Sequence, residues 1–385
     1  RVRSSAASDV YKRQAFSASN IGNYYISSKF AKSKESEIYK AWAWGNYKYQ
    51  SKSKKNLLYI KEQKEREFLT FYSDCINFSR DLINSPANKL NPSTYYSKIK
   101  NNNLFKSFNF IDYTEKEINS NFPLTCAVGK SSSSKPKVIE ITNRKLSKKD
   151  KPLVIIGKGV TFDTGGVNIK PGSSMRNMKK DMGGSAIAIS LFLLANYFLK
   201  KTKIVLIAPI AENAISSKSM RPGDVYSSVS GKSVEIAHTD AEGRLLLADA
   251  IEKASSYNPC MIIDFATLTG AARVALGEDL PAYFCNNETF AKKIENLNKE
   301  KLRCWRLPLY SPYLFKIKSQ VADLSNASLD GMAGSITAAL FLQEFLKSPN
   351  IPWFHFDTFA WSQDSKGAAL QGLDIMSDFL RKNFN

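Results

Sequence analysis

Four carboxylates in this sequence stand where metal chemistry would need them. Asp163 is followed by Thr164-Gly165-Gly166, and Asp181 precedes Met182-Gly183-Gly184 at the start of an apolar run. A third group reads His238-Thr239-Asp240-Ala241-Glu242-Gly243-Arg244. In an extended segment Asp240 and Glu242, two residues apart, face one side and both reach one centre. Four carboxylates about one point repel unless divalent cations lie between them, and two metals sharing bridging oxygens match that count. Taken singly, each has a plainer role: Asp181 as a helix N-cap, Asp163 as a turn cap. Lys158, Lys170 and Arg244, close by in the chain, favour the collective reading. Gly157-Lys158-Gly159 does not complete a phosphate loop, since Pro152 stands where the first Gly is required and Gly159 where a hydroxyl should hold magnesium.

The rest of the titratable inventory removes other chemistries. There are two histidines, His238 and His355. They cannot build an HExxH protease, a three-histidine zinc site or a cysteine/histidine finger, so any metal must be held by carboxylates. The five cysteines are widely spaced, with no CxxC pair, which argues against a disulfide scaffold and for a reducing cytoplasm.

The elements that must position these residues alternate along the chain. Strands are expected at residues 138–142, 153–157, 203–209, 233–237, 261–266 and 353–359. Helices are expected at 57–84, 184–198, 242–255, 335–346 and 373–382, the first ended by Asn84-Ser85-Pro86. Short apolar strands alternating with helices indicate an α/β domain with a mostly buried sheet, and ligands of such sheets bind at strand ends. The acidic positions above lie at such ends.

Length and composition set the frame. The 385 residues are 43% hydrophobic and 23% charged, enough for a large core and too apolar for a disordered chain. The longest uncharged stretch, 182–199, carries Gly, Ser and Asn and reads as a buried helix, not a membrane span; no secretory signal is visible. Of the net +20, +15 falls in residues 1–150, where 28 Lys and Arg face 13 Asp and Glu. A solvated lysine-rich surface explains this; nucleic-acid binding is the sharper alternative, without a zinc-finger or RNP motif behind it. Residues 1–14 have no periodic pattern and read as a non-native leader.

At this point the sequence resembles the leucyl (cytosol) aminopeptidase family. TDAEGRL at 239–245 matches the end of that family's NTDAEGRL signature, with His238 in place of the leading Asn. GKGVTFDTGGVNIKP, MKKDMGG, RDLINSPAN, RPGDV, DFATLTGAARVALG, ADLSNAS and GSITAALFL follow the family pattern in order, over roughly residues 40–385. The resemblance implies a C-terminal catalytic α/β domain over 85–385, with a mixed, mostly buried sheet flanked by helices. It makes 57–84 a linker helix and 15–56 a remnant of an N-terminal α/β domain, with Phe30, Trp42 and Trp44 left exposed.

Function and site roles follow from the same resemblance. It implies a cytoplasmic, homohexameric metallopeptidase that trims peptides, holding two divalent ions (Zn2+ or Mn2+) and bicarbonate, with no membrane partner. Lys158, Asp163, Asp181, Asp240 and Glu242 match metal ligands, and Lys170 and Arg244 the catalytic pair. Met178, Ala241, Thr267, Leu268 and Gly270 match substrate-binding positions, and His238 borders them. Lys158 must be neutral to ligate, so its pKa should be pushed down by burial and by the cations. Lys170 should stay charged and stabilise an oxyanion. Arg244 is too basic to act as a base and is expected to hold bicarbonate as proton shuttle. For His238 three roles stand open: a structural imidazole bonded to a backbone carbonyl, a pocket-lining group, or an extra ligand. Two other function classes compete: a family member acting as a nucleic-acid-binding or scaffold protein, and phosphoryl transfer at a two-metal site, which leaves a lysine ligand unexplained.

Overall fold

The computed structural model describes residues 23–25, 32–50, 57–299, 301–362 and 367–384. The leader assigned to 1–14, and Phe30, lie outside the described residues. Among the described residues, nine strands form one mixed sheet. Its centre is parallel: Trp353–Asp357, Met261–Ala266, Leu153–Gly157 and Ile204–Asn213 lie side by side in that order. Antiparallel strands flank it, with Lys137–Thr142 on Ile204–Asn213 and Ala282–Cys285 on Trp353–Asp357.

The central strands are apolar throughout because both faces are covered. Along Leu153–Gly157, Leu153 and Ile155 enter one core while Val154 and Ile156 enter the other. Ile263 and Phe265 repeat the alternation against Ile262 and Ala266, as the two-residue period of a strand requires. Helices Gln63–Asn84, Gly183–Phe198 and Leu373–Asn383 fill one side. Gly243–Ser256 and Gly334–Gln343 fill the other. Each fully buried Leu or Ile in these layers contributes about 2 kcal/mol over its exposed state. The uncharged stretch is this interior helix, with 83% of its most apolar window buried.

One close approach matters for the site. A Cβ on Gly157 would lie 2.3 Å from the Ser185 Cα, and one on Gly184 would lie 2.2 Å from the Phe265 carbonyl oxygen. The two glycines let the helix start press directly on the strand ends, bringing Asp181 to them.

Several elements differ from expectation. The helix read over 57–84 starts at Gln63; Leu57–Tyr59 is a strand paired parallel with Asn23–Tyr25. Its end at Asn84, capped by Ser85, is where the sequence placed it. Gly159–Asp163 is a further strand beside Ile204–Asn213, hidden by its glycine and threonine. Trp42 and Trp44 are buried, not exposed. Helix Lys32–Gly45 packs on Gln63–Asn84: Trp44 Nε1 donates to the Tyr72 hydroxyl at 2.9 Å, and the Arg80 guanidinium lies 5.0 Å from the Trp44 ring and 3.9 Å from Tyr47. The covering surface comes from residues some thirty positions away.

Candidate active site and metal centre

The strand ends bring the expected groups together. Lys158 joins the strands Leu153–Gly157 and Gly159–Asp163, and Asp163 closes the second. Gly165 and Gly166 then turn the chain with φ of 86° and 64°, a conformation other residues adopt at a cost. That turn returns Lys170 to the cluster. Asp181 ends the 3-10 turn Met178–Lys180, and Glu242 stands at the N-cap of Gly243–Ser256, with Arg244 in its first turn.

Carboxylate oxygens of Asp163, Asp181 and Glu242, all buried, lie within 4.8 Å of one another. Lys158 Nζ is 2.8 Å from Asp181 and 3.0 Å from Glu242, and donates to the Thr267 carbonyl at 2.7 Å. Lys170 Nζ is 2.9 Å from Asp163 and also pairs with Asp240. Asp163 Oδ1 accepts from the Gly165 amide and from Asn213 Nδ2, each at 2.8 Å. Thr267 is buried, and its hydroxyl donates to Asp181 at 2.8 Å.

The electrostatics of this cluster are those of a site short of positive charge. Four carboxylates meet two ammonium groups. Burial and Asp163 raise the proton affinity of Glu242 well above the ordinary range, and raise Asp240 to about 6. Burial favours neutral Lys158, but Asp181, Glu242 and Asp163 outweigh it and hold the ammonium above the usual lysine range. The expected depression of Lys158 is therefore not what its protein neighbours produce. Lys170 is held up in the same way, against its burial, by Asp163, Glu242, Asp181 and Asp240. Asp181 Oδ2, Asp240 Oδ1 and Glu242 Oε1 are buried without a well-directed hydrogen bond. Close carboxylate oxygens, excess negative charge and unused lone pairs fit divalent cations of oxygen preference.

Arg244 is buried with Nε and Nη1 unsatisfied, 5.9 Å from the Phe341 ring. Burial lowers its pKa to about 10, opposed by Glu242 and Asp357. Met178, Ala241 and Leu268 are half-buried and Gly270 is exposed at the start of Gly270–Leu276.

The family model described as "Cytosol aminopeptidase family, catalytic domain" matches residues 77–376. The chain belongs to the cytosol aminopeptidase family. It is 37% identical over 298 residues to the "Probable cytosol aminopeptidase" of Syntrophotalea carbinolica, covering 77% of this chain and 59% of that protein. The "Cytosol aminopeptidase" of Encephalitozoon cuniculi is 41% identical over 288 residues, covering 73% of this chain and 58% of that protein. The chain thus matches under two thirds of the length of these relatives. The crystal structure of the cytosol aminopeptidase from Coxiella burnetii superposes with a TM-score of 0.89 at 36% identity, covering 98% of this chain and 84% of that one. The bottromycin maturation enzyme BotP in complex with Mn superposes at 0.85 with 26% identity, covering 98% of this chain and 88% of that one.

Within this cytosol aminopeptidase domain the signature segment departs from the extended form expected of it. Thr239 and Asp240 form a turn, closed by the Ala241 amide on the His238 carbonyl at 3.1 Å. Asp240 thus reaches the cluster from a turn and Glu242 from a helix start. Asn326 braces the turn: its Oδ1 accepts from Ala237 and His238 at 2.8 and 3.1 Å, and its Nδ2 donates to the carbonyls of His238 and Ala241 at 2.9 and 3.2 Å. His238 is exposed, and its Nδ1 accepts from the Asp240 amide at 3.2 Å. Its partner is a backbone N–H, not the carbonyl of the structural role, one of the three that stood open.

Three supporting residues carry no assigned role in the sequence reading. Asn213 holds Asp163 and the Thr239 carbonyl, Asn326 braces the signature turn, and Asp357 accepts from the amides of Leu268 and Thr269 at 3.3 and 3.1 Å. Asn326 lies in ADLSNAS and Asp357 at a strand end, so a polar residue at an element end was the available signal.

Proposed function

We propose that this chain is the catalytic domain of a cytoplasmic, metal-dependent aminopeptidase that removes N-terminal residues from peptides. The observation that carries the reading is the buried cluster of Asp163, Asp181 and Glu242, with oxygens within 4.8 Å of one another. Asp163, Asp181, Asp240, Glu242 and a neutral Lys158 would hold two divalent ions, zinc or manganese. Such ions supply Lewis-acid activation of water and a docking point for the substrate's free amine. The Mn complex of BotP supports divalent metal use in this fold.

The chain's own groups do the remaining work. Lys170, kept charged by four carboxylates, neutralises the negative charge that develops on the scissile carbonyl oxygen. Arg244 presents two unsatisfied buried N–H groups, which suits an anion such as bicarbonate. Held by those Arg244 N–H groups, bicarbonate would supply the acid–base chemistry between water and the leaving amine. Asp357 fixes the Leu268–Thr269 backbone, which orients the peptide beside Met178 and Ala241. The exposed His238 borders that space, and the assembly proposed is a homohexamer.

The test is the release of leucine from a dipeptide and from its N-acetylated form, with Mn2+ or Zn2+ and after chelation. Hydrolysis of the free-amine peptide alone, and only with metal, is the expected result. Equal hydrolysis of both forms would contradict an aminopeptidase.

A further inference from the structure

Lys180 stands next to Asp181 and has no part in the roles above. It is 5% exposed. Among the described residues its ammonium has no hydrogen bond or ion pair; it lies 4.2 Å from the centroid of the Phe359 ring. The Arg273 guanidinium approaches the same ring at 4.9 Å. Neighbouring acids are already engaged. Asp181 pairs with Lys158 and accepts from Thr267. Asp357 accepts from Leu268, Thr269 and Ser335.

Keeping a charge on a side chain only 5% exposed and without an anion is costly, and a second cation on the same ring adds repulsion. A cation–ring contact of about 0.5–2 kcal/mol does not offset both. Both cations thus meet one ring, and among the described residues neither has a carboxylate partner. The ring's place is fixed beside the cluster. A Cβ on Gly183 would lie 2.2 Å from the Ala360 Cβ, so the Phe359–Ala360 segment packs against the chain just after Asp181. On the aminopeptidase reading, a peptide bound at the carboxylates would direct its first side chain to this flank. Phe359, half-buried, offers a ring face to the methylenes of that side chain, while the two cations meet its end.

We propose that Lys180 and Arg273, gathered on Phe359, bind the carboxylate of an acidic first residue, so that peptides beginning with glutamate or aspartate are preferred. This rests on the aminopeptidase reading and names the substrate class of the same site.

The experiment compares glutamyl, glutaminyl and leucyl p-nitroanilides on the Mn2+-loaded chain, with glutamine as the neutral isostere. Calorimetry of free L-glutamate and L-glutamine on the same preparation gives a readout independent of turnover. Glutamate should exceed glutamine roughly ten- to hundredfold in kcat/KM and in affinity, the range of a charge-assisted contact. The ratio should fall toward one in Lys180→Gln and part of the way in Arg273→Gln, whose exposed position makes folding safe. Equal handling of glutamate and glutamine, or a ratio unchanged in both variants, would overturn the proposal. If none of the three anilides is hydrolysed, the aminopeptidase reading fails, and calorimetry decides separately. Glutamate-selective binding lost in Lys180→Gln upholds the anion site, and equal binding of the two amino acids removes it.

Discussion

Replacing Lys158 by Met keeps the bulk of the side chain and removes its charge. The stem is closely packed, since a Cβ on Gly243 would come within 2.4 Å of Lys158 Cε. A similar-volume apolar chain therefore preserves contacts, and the cost is electrostatic. The ammonium lies 2.8 Å from Asp181 and 3.0 Å from Glu242, all three groups being buried. Breaking a buried pair by deleting one partner costs about 3–5 kcal/mol, because the other charge is left uncompensated. Here two carboxylates lose one partner, while proton uptake by Glu242, whose proton affinity is already raised, caps the loss. The expected deficit in chelator at neutral pH is therefore about 3–5 kcal/mol. Urea unfolding followed by circular dichroism, in EDTA and in saturating Mn2+, measures it. Saturating Mn2+ should change the gap, because dications take over the charge balance while only the parent offers the Lys158 nitrogen as a ligand. A variant as stable as the parent in EDTA would refute the picture of a repelling carboxylate cluster. A deficit unchanged by Mn2+ would refute the placement of cations there.

Lys170→Ala should lower kcat by about 10²–10³ and leave the bound metal, counted by mass spectrometry, unchanged. Asn326→Ala removes both acceptor and donor from the turn at 237–241; it should cost about 2–4 kcal/mol in unfolding experiments and weaken Mn2+ binding by misplacing Asp240. His238→Asn should keep its metal and most activity in the aminoacyl-amide assay, since the exposed imidazole contributes one accepted hydrogen bond from the Asp240 amide; loss of a metal ion would mean that His238 is a ligand.

The clustered candidate residues Asp163, Asp181 and Glu242 were legible because each sits at an element end near glycine, where apolar periodicity stops. Asp163, Asp181 and Glu242 meet as that reasoning required. The route by which Asp240 arrives was not legible. An extended segment follows from local pattern alone, whereas the observed turn is held by Asn326, over eighty residues away. The same limit applies to Trp42 and Trp44. Their aromatic run reads as unprotected until Tyr72 and Arg80 are placed against it. Strand Gly159–Asp163 escaped notice because a glycine and a threonine break its apolar run, although its neighbour Ile204–Asn213 supplies the pairing. Lys158 was expected to lose its proton through burial and the cations together; the opposing pull of the carboxylates that face it is seen only in the assembled cluster.

The most direct measurement follows turnover and metal content together. Chelator-stripped protein is titrated with Mn2+ while the release of leucine from a dipeptide is recorded. The account predicts no turnover without metal, a rate that rises with added ion and levels off at about two equivalents per chain, and loss of both binding and rate in Glu242→Ala. Full turnover after exhaustive chelation, or full metal binding in Glu242→Ala, would contradict it.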